Sequence, residues 1–126
     1  MKFSLLLFIL KVLFKRTAKK HESFKNKLKE KNYTLVIRTE DGKRGRYYTF
    51  KDGEIVSGKG NFPGAEISLV WRDAATGFRI MAGGSTKAFM EALQNGSLKL
   101  AGDANLALTF MGVVGEMMKL MKNRKK

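Results

Sequence analysis

Hydrophobic residues alternate with polar ones in some segments of the chain and recur every three or four positions in others. In the middle of the sequence Ile67, Leu69 and Trp71 alternate with more polar positions, which is the period-2 pattern of a half-buried strand. Asp73 follows as the N-cap of a short helix that ends near Gly83-Gly84. The pattern predicts a strand followed directly by a helix with an apolar face.

A second helix and a second strand come next. Ser85 or Thr86 caps the helix, Asn95-Gly96 ends it, and residues 97–102 return as a strand with Leu98 and Leu100 on one side. The apolar residues of both helices recur three or four positions apart, as expected for helices that cover one face of a sheet. This strand–helix–helix–strand unit has a large apolar surface and no evident catalytic group.

Three strands precede this unit. Alternation begins at Tyr33, resumes at Tyr47 and continues from Ile55 to Lys59, and Asp52-Gly53 is a strong hairpin signal. Tyr48 and Phe50 fall on the side expected to face the core. A meander, a crossover strand, two helices and a fifth strand predict an α+β fold with one mixed five-stranded sheet covered by helices.

The chain closes with a methionine-rich helix predicted over residues 105–122. Four of the seven methionines fall between Met111 and Met121, and methionine adapts to irregular or changing apolar surroundings. Gly112 and Gly115 each weaken the helix by ~1 kcal/mol relative to Ala. These features suit a helix that covers a cavity, and they also suit an ordinary core helix.

The first thirty residues predict a basic amphipathic helix that continues, more polar, to Lys31. Its apolar run is shorter than the ~20 residues of a membrane span, and no small-x-small cleavage site of a signal peptide follows it. Two interpretations stay open: the helix lies on an anionic membrane, or its apolar stripe packs on the domain or on a second copy. The first interpretation assigns membrane contact to Phe3, Leu6, Leu7, Leu10, Leu13, Phe14, Lys11, Lys15 and Arg16.

Charge is concentrated at the two ends of the chain. The formal net charge is +14; residues 1–31 contain ten Lys and Arg against two Glu, residues 119–126 five against no acid, and residues 32–118 ten against nine. Basic ends suit anionic lipid, nucleic acid, an acidic partner or plain solubility. Cysteine is absent, which fits a reducing compartment. We expect a cytoplasmic protein, with a peripheral position on the inner face of the membrane.

The sequence contains no recognisable catalytic or metal-binding constellation. His21 is the single histidine and lies among charged residues, as expected of a solvated helix position. The carboxylates of Glu40-Asp41 and of Asp52 and Glu54 belong to tight turns rather than to a paired acid and base. Ser85-Thr86 lacks the spacing of a phosphate-binding loop, although a helix N-terminus there could meet an anionic head group. We therefore expect no enzyme activity, no cofactor and no metal.

The phrase Asn95-Gly96-Ser97-Leu98-Lys99-Leu100-Ala101-Gly102-Asp103, after the Asp52-Gly53 hairpin and the two short helices, resembles the lipid-binding domain of the sterol carrier protein 2 family, in a stand-alone bacterial form. The resemblance covers residues 33–118, most of the chain. It implies a hydrophobic tunnel between sheet and helices that binds fatty acids, acyl-CoA, sterols or phospholipids without metal or cofactor.

These observations favour a protein that binds and transfers or presents a lipid. Residues 1–31 would form the amphipathic segment, 32–122 the lipid-binding domain and 123–126 a basic tail. One alternative is an accessory scaffold that presents a lipid intermediate to biosynthetic enzymes; a nucleic-acid binder with Tyr47, Tyr48 and Phe50 on an open sheet face is the other. The protein would be a monomer or a dimer through the N-terminal helix. The predicted cavity lining consists of Ile67, Leu69, Trp71, Phe78, Met81, Phe89, Met90, Leu93, Phe110, Val114, Met117 and Met118.

Overall fold

The computed structural model describes residues 2–30, 32–60, 62, 64–83 and 86–124. In chain order these residues form α1 (Lys2–Lys20), α2 (Glu22–Lys29), β1 (Tyr33–Thr39), β2 (Gly45–Lys51), β3 (Glu54–Lys59), β4 (Ile67–Trp71), α3 (Ala74–Gly83), α4 (Thr86–Asn95), β5 (Leu98–Gly102) and α5 (Ala104–Arg124). The five predicted strands are present, as are the two short helices and the C-terminal helix that the sequence predicts. Among the described residues, no helix combines the length and the hydropathy that a membrane span requires.

The strands form one sheet in the order β3-β2-β1-β4-β5. Strands β1 and β4 are parallel, and the other neighbouring strands are antiparallel. The register places Leu35 beside Ile67 and Ile37 beside Leu69, so that apolar side chains form continuous rows on the face covered by the helices. The predicted α+β fold with one mixed five-stranded sheet is confirmed.

An aromatic cluster joins α1 to the sheet and to α5. The ring of Phe14 lies 5.6 Å from that of Phe50, 5.8 Å from Phe110, 6.1 Å from Tyr48 and 6.4 Å from Phe24, measured between centroids. Most of these pairs are edge-to-face, the arrangement that the ring quadrupoles favour. Phe14 has no exposed surface. The N-terminal helix is therefore part of the hydrophobic core.

The inner stripe of α1 packs on the domain. Phe3, Leu7, Leu10 and Phe14 are at most 8% exposed, and the Tyr48 hydroxyl donates a buried hydrogen bond of 2.6 Å to the Leu7 carbonyl. These four side chains are covered by protein, which corrects their assignment as membrane contacts. The period of the stripe identifies an apolar face, but a sheet and a bilayer can cover it equally well.

The chain leaves the helical conformation at His21, which separates α1 from α2. Its backbone is extended, with φ −126° and ψ 105°, and its side chain makes no capping hydrogen bond. The prediction of one continuous helix with His21 at a helical position is wrong. Phe24 and Leu28 of α2 join the core formed by the sheet. The N-terminal segment 1–31 differs in composition from residues 32–122. Its helices α1 and α2 nevertheless pack in the core of the domain.

The residues that carry the family resemblance, 95–103, form the turns on either side of β5. The Asn95 side chain accepts a 2.8 Å hydrogen bond from the Ser97 amide, and Asp103 accepts one of 2.9 Å from the Asn105 amide at the start of α5. Gly102 has φ +117°, and a Cβ at this position would collide with the Glu66 carbonyl. These residues specify turns and strand packing rather than ligand contacts.

Candidate functional site

A cavity of about 90 Å³ lies between β4 and the helices α1, α3, α4 and α5. The described residues that line it are apolar side chains and one glycine: Leu6, Leu10, Leu69, Ile80, Met81, Phe89, Phe110, Met111, Val114 and Gly115. Since no charged or hydrogen-bonding side chain is among them, the cavity suits a hydrocarbon chain better than a polar head group.

Five of the twelve residues predicted to line a cavity do so: Leu69, Met81, Phe89, Phe110 and Val114. Ile67, Trp71 and Met117 are buried in the surrounding core instead, and Phe78 and Leu93 are partly buried against it. Met90 is 42% exposed and is not among the described residues that line the cavity. The side chain of Met118 lies outside the described residues.

The sequence interpretation missed the other five lining residues. Leu6 and Leu10 belong to α1 and had been assigned to a membrane, whereas Ile80, Met111 and Gly115 lie beside residues that were predicted. The i, i+4 spacing of Leu6 and Leu10 shows that they share a helix face. Nothing local indicates that this face closes a cavity, because that depends on how α1 crosses the sheet.

The size of the cavity limits what it holds in this conformation. Pockets that enclose drug-sized ligands measure ~300–1,000 Å³, and 90 Å³ is well below that range. Gly115 is exposed at the cavity wall, and a Cβ built on it meets no atom within 4 Å. The cavity therefore has room beside α5, and a long chain requires the helices to move apart.

None of the described residues that line the cavity has an ionisable side chain. In the part of the chain that the structure describes, the buried polar side-chain atoms without a hydrogen-bond partner are Tyr33 Oη and Trp71 Nε1, and neither residue lines the cavity. Burial raises the pKa of Tyr33, which keeps the phenol neutral. Phe89, which lines the cavity, forms a T-shaped pair with Trp71, with 6.2 Å between ring centroids.

The outward face of α1 is apolar in its first half and cationic in its second. Leu5, Phe8 and Ile9 are 57%, 46% and 41% exposed. Lys11 Nζ lies 4.4 Å from the Phe8 ring centroid and the Arg46 guanidinium carbon 5.4 Å from it, so that two cations flank one exposed ring. Leu6 and Leu13, which were predicted to contact a membrane, are half-buried, whereas Lys15 and Arg16 are exposed.

The turn carboxylates have structural partners. Asp41 accepts hydrogen bonds from the Thr39 hydroxyl at 2.7 Å and the Lys43 amide at 2.9 Å, and these bonds hold the pKa of Asp41 below its usual value. Glu40 forms an ion pair of 3.3 Å with Lys99.

Ser85 lies outside the described residues, as does the side chain of Thr86. The head-group site predicted at the start of α4 therefore stays a prediction.

The aromatic residues proposed for nucleic-acid binding do not form a platform. Tyr48 and Phe50 are buried under the helices, and only Tyr47 of the three lies on the opposite face. There its ring packs against Phe62 of the crossing loop, with centroids 5.0 Å apart. Stacking of successive bases needs several exposed rings on one face, and this arrangement argues against it.

Comparison with known proteins supports the fold. No family model matches the sequence, and no curated protein matches it. Among solved structures, the apo form of sterol carrier protein 2 from Yarrowia lipolytica is similar, with a TM-score of 0.61, 20% identity, and coverage of 84% of this chain and 87% of that one. The UbiJ-SCP2 ubiquinone synthesis protein gives a TM-score of 0.56 at 13% identity over 76% of this chain and 74% of that one.

The same fold occurs inside a larger enzyme. The sec-alkylsulfatase Pisa1 from Pseudomonas sp. gives a TM-score of 0.55 at 21% identity, with coverage of 71% of this chain but 14% of the sulfatase chain. The chain thus spans about one seventh of that enzyme's length. The chain has the sterol carrier protein 2 fold, which confirms the resemblance seen in the sequence.

Proposed function

We propose that this protein binds the hydrocarbon chain of a lipid between β4 and the helices α1, α3, α4 and α5, and carries or presents it without chemical change. The observation that supports this most is the apolar cavity at that position, whose described lining residues include no polar side chain. Each methylene removed from water contributes ~0.8 kcal/mol. A chain of about ten methylenes therefore gains ~8 kcal/mol before the cost of association.

Uptake of a long chain requires the cavity to enlarge beyond 90 Å³. Helix α5 is suited to such a movement, because Gly112 and Gly115 lower its intrinsic stability by ~1 kcal/mol each. Met81 and Met111 line the cavity and can change rotamer to follow the shape of a chain. We infer that the small cavity is the resting state and that the ligand replaces contacts between α5 and its neighbours.

We further propose that the protein has no catalytic activity. The lining residues that the structure describes include no nucleophile and no acid or base. The carboxylates of Glu40 and Asp41 are held in a turn by an ion pair and by hydrogen bonds. This part of the proposal would be refuted if the wild-type protein had a catalytic activity and a folded variant with one Asp, Glu or Ser changed had lost it.

The membrane contact proposed from the sequence is retained with the same basic residues but with different apolar ones. We place it on the outward face of α1, where Leu5, Phe8 and Ile9 are exposed. The basic residues Lys11, Lys15 and Arg16 follow them along the same helix. Apolar side chains enter the acyl boundary, and each basic residue near an anionic surface contributes up to ~1 kcal/mol. Leu6 and Leu10 of the same helix line the cavity. A lipid could therefore pass between the bilayer and the cavity beside α1.

A second role is presentation of the bound lipid to another protein. It is favoured by the likeness to the UbiJ-SCP2 structure, which is described as a ubiquinone synthesis protein. Transfer and presentation differ in one respect that can be measured: a carrier moves lipid between two vesicle populations by itself, whereas a presenting protein needs its partner.

Lipid binding is tested by incubating the detergent-free protein with vesicles of mixed bacterial phospholipids, fatty acids and isoprenoid quinones. The protein is then re-isolated, and native mass spectrometry gives the mass of any bound lipid. We expect one lipid per chain. A spectrum that shows only the apoprotein after incubation with every lipid class would contradict the proposal.

A further inference from the structure

A second concave site lies where α1, α2 and the edge strand β3 meet. It is a groove of about 410 Å³ that shares no residue with the apolar cavity. Lys15 and Lys19 of α1 and Lys25 of α2 line one part of it, and Glu54, Ile55 and Val56 line another. The groove is several times larger than the apolar cavity, and its lining differs in chemistry.

The charge of the groove is unbalanced. Lys15, Lys19 and Lys25 face one carboxylate, Glu54, and none of the three forms an ion pair within the part of the chain that the structure describes. Lys15 and Lys19 are four positions apart on α1, a spacing at which like charges repel on a helix surface. An anion bound in the groove would neutralise charges that the protein itself leaves uncompensated.

The groove is also preformed on the α2 side. Gly53 turns the hairpin with φ +84°, and a Cβ there would lie 2.9 Å from Lys29 Cγ and 3.2 Å from Lys25 Cγ. The aliphatic stems of these two lysines therefore pack across the hairpin. Part of the rotamer freedom that a lysine loses on binding is already lost in the free protein.

Apolar surface adjoins the cations. Val56 is 59% exposed, although it is a β-branched residue on an edge strand, and Ile55 beside it is buried. A ligand that combines a negative group with a short apolar portion would cover Val56 while it meets the lysines. An anion without an apolar portion would leave Val56 exposed.

We propose that this groove binds a phosphate group. The lysine ammonium is a compact charge with three donors, and phosphate offers acceptor oxygens and up to two negative charges to several such groups at once. The phosphate belongs either to a lipid head group or to a free phosphate compound. The proposal does not depend on lipid binding in the apolar cavity.

The test uses the full chain and two probes at low salt. The probes are inorganic phosphate and dihexanoyl phosphatidic acid below its critical micelle concentration, and binding is followed by the shifts of backbone amide resonances. We expect both probes to shift the amides of Gly53, Glu54 and Val56. The triple variant Lys15→Gln, Lys19→Gln, Lys25→Gln should bind each probe about tenfold more weakly.

A matched control separates this groove from net charge. The variant Lys43→Gln, Lys87→Gln, Lys119→Gln loses the same three charges at exposed positions elsewhere, and we expect its affinity to change by less than about twofold. The Val56→Ser variant identifies the source of the phosphate. If the variant binds phosphatidic acid more weakly than wild type but binds inorganic phosphate equally well, the phosphate belongs to a lipid head group. If the variant binds both probes as well as wild type does, it belongs to a free phosphate compound.

Two results would overturn the proposal. One is equal weakening by the groove variant and the control variant. The other is a shift map of the wild-type protein that is spread over the surface lysines, without a maximum at residues 53–56. This map needs no variant, and it decides the question even if the triple substitution prevents folding.

Discussion

Phe14 connects three parts of the molecule, since its ring contacts Phe24, Tyr48, Phe50 and Phe110. Truncation of a fully buried phenylalanine removes its transfer free energy and leaves a cavity. We expect Phe14→Ala to lower the free energy of unfolding by about 3–5 kcal/mol, measured by urea denaturation.

Phe8 is the matched control on the same helix. Its ring is 46% exposed and contacts Lys11 and Arg46. The change Phe8→Ala should cost no more than about 1 kcal/mol. Equal losses for the two variants would mean that α1 is not docked as described.

Asp73 caps α3, as the sequence predicts. Its carboxylate accepts a 2.7 Å hydrogen bond from the Thr76 amide, and this bond, with a further one from the Thr76 side chain and the nearby Arg72, holds the pKa of Asp73 below its usual value. A depressed pKa in the folded state stabilises the protein above the unfolded-state pKa, and this contribution disappears as the pH falls through the folded-state value.

The corresponding variant is Asp73→Ala. It should lower the free energy of unfolding at pH 7 by ~1 kcal/mol, and the difference from wild type should shrink as the pH falls below ~4. Asp73→Asn should retain most of the stability at pH 7, because asparagine also caps helices well. A difference that is independent of pH between 7 and 2 would be inconsistent with a capping carboxylate.

Ile67 and Leu69 show why the lining could be predicted only in part. Both lie on the core face of β4 and both are buried, yet Leu69 lines the cavity and Ile67 does not. Alternation along a strand identifies the inward face. Which inward residue meets empty space depends on where α1, α3 and α5 cross that face, and no local pattern contains this information.

At the scale of elements, α1 has two apolar faces with different roles. Phe3, Leu7 and Phe14 pack in the core, whereas Leu5 and Phe8 are exposed. Deletion of the helix would expose the core, so it cannot test membrane binding. The change Leu5→Ser, Phe8→Ser, Ile9→Ser removes the outer face and leaves the inner face intact.

This triple variant should bind anionic vesicles at least about tenfold more weakly than wild type, because three apolar side chains no longer enter the acyl boundary. Vesicle sedimentation at several salt concentrations measures the effect. The control Phe62→Ser, Met90→Ser, Leu108→Ser changes exposed apolar residues elsewhere and should bind like wild type. If the control weakens binding as much, the membrane-contact surface is not on α1.

At the scale of the whole molecule, the order and type of the elements follow from signals in the sequence. The Asp52-Gly53 hairpin, the Asp73 cap and the Asn95-Gly96 turn fix where elements begin and end, and the structure has them at these positions. The break at His21 and the docking of α1 were not predictable in the same way. Both depend on contacts between residues that are far apart in the chain.

The central claim is that a hydrocarbon chain enters the cavity beside α5, and Gly115 gives direct access to it. A side chain on a helix leans toward the preceding turn. A phenylalanine at position 115 would therefore lean toward Met111, which lines the cavity, whereas one at position 112 would lean toward Leu108, which is exposed. A Cβ at either glycine meets no atom within 4 Å, so both variants should fold.

The measurement is a fluorescence titration of wild type, Gly115→Phe and Gly112→Phe with cis-parinaric acid, a fluorescent fatty acid. If the chain occupies the cavity, Gly115→Phe binds about tenfold more weakly or not at all, since the new ring overpacks the site by ~1–3 kcal/mol. Gly112→Phe then binds within about twofold of wild type. Equal affinities of all three proteins, or no binding by wild type, would contradict the claim.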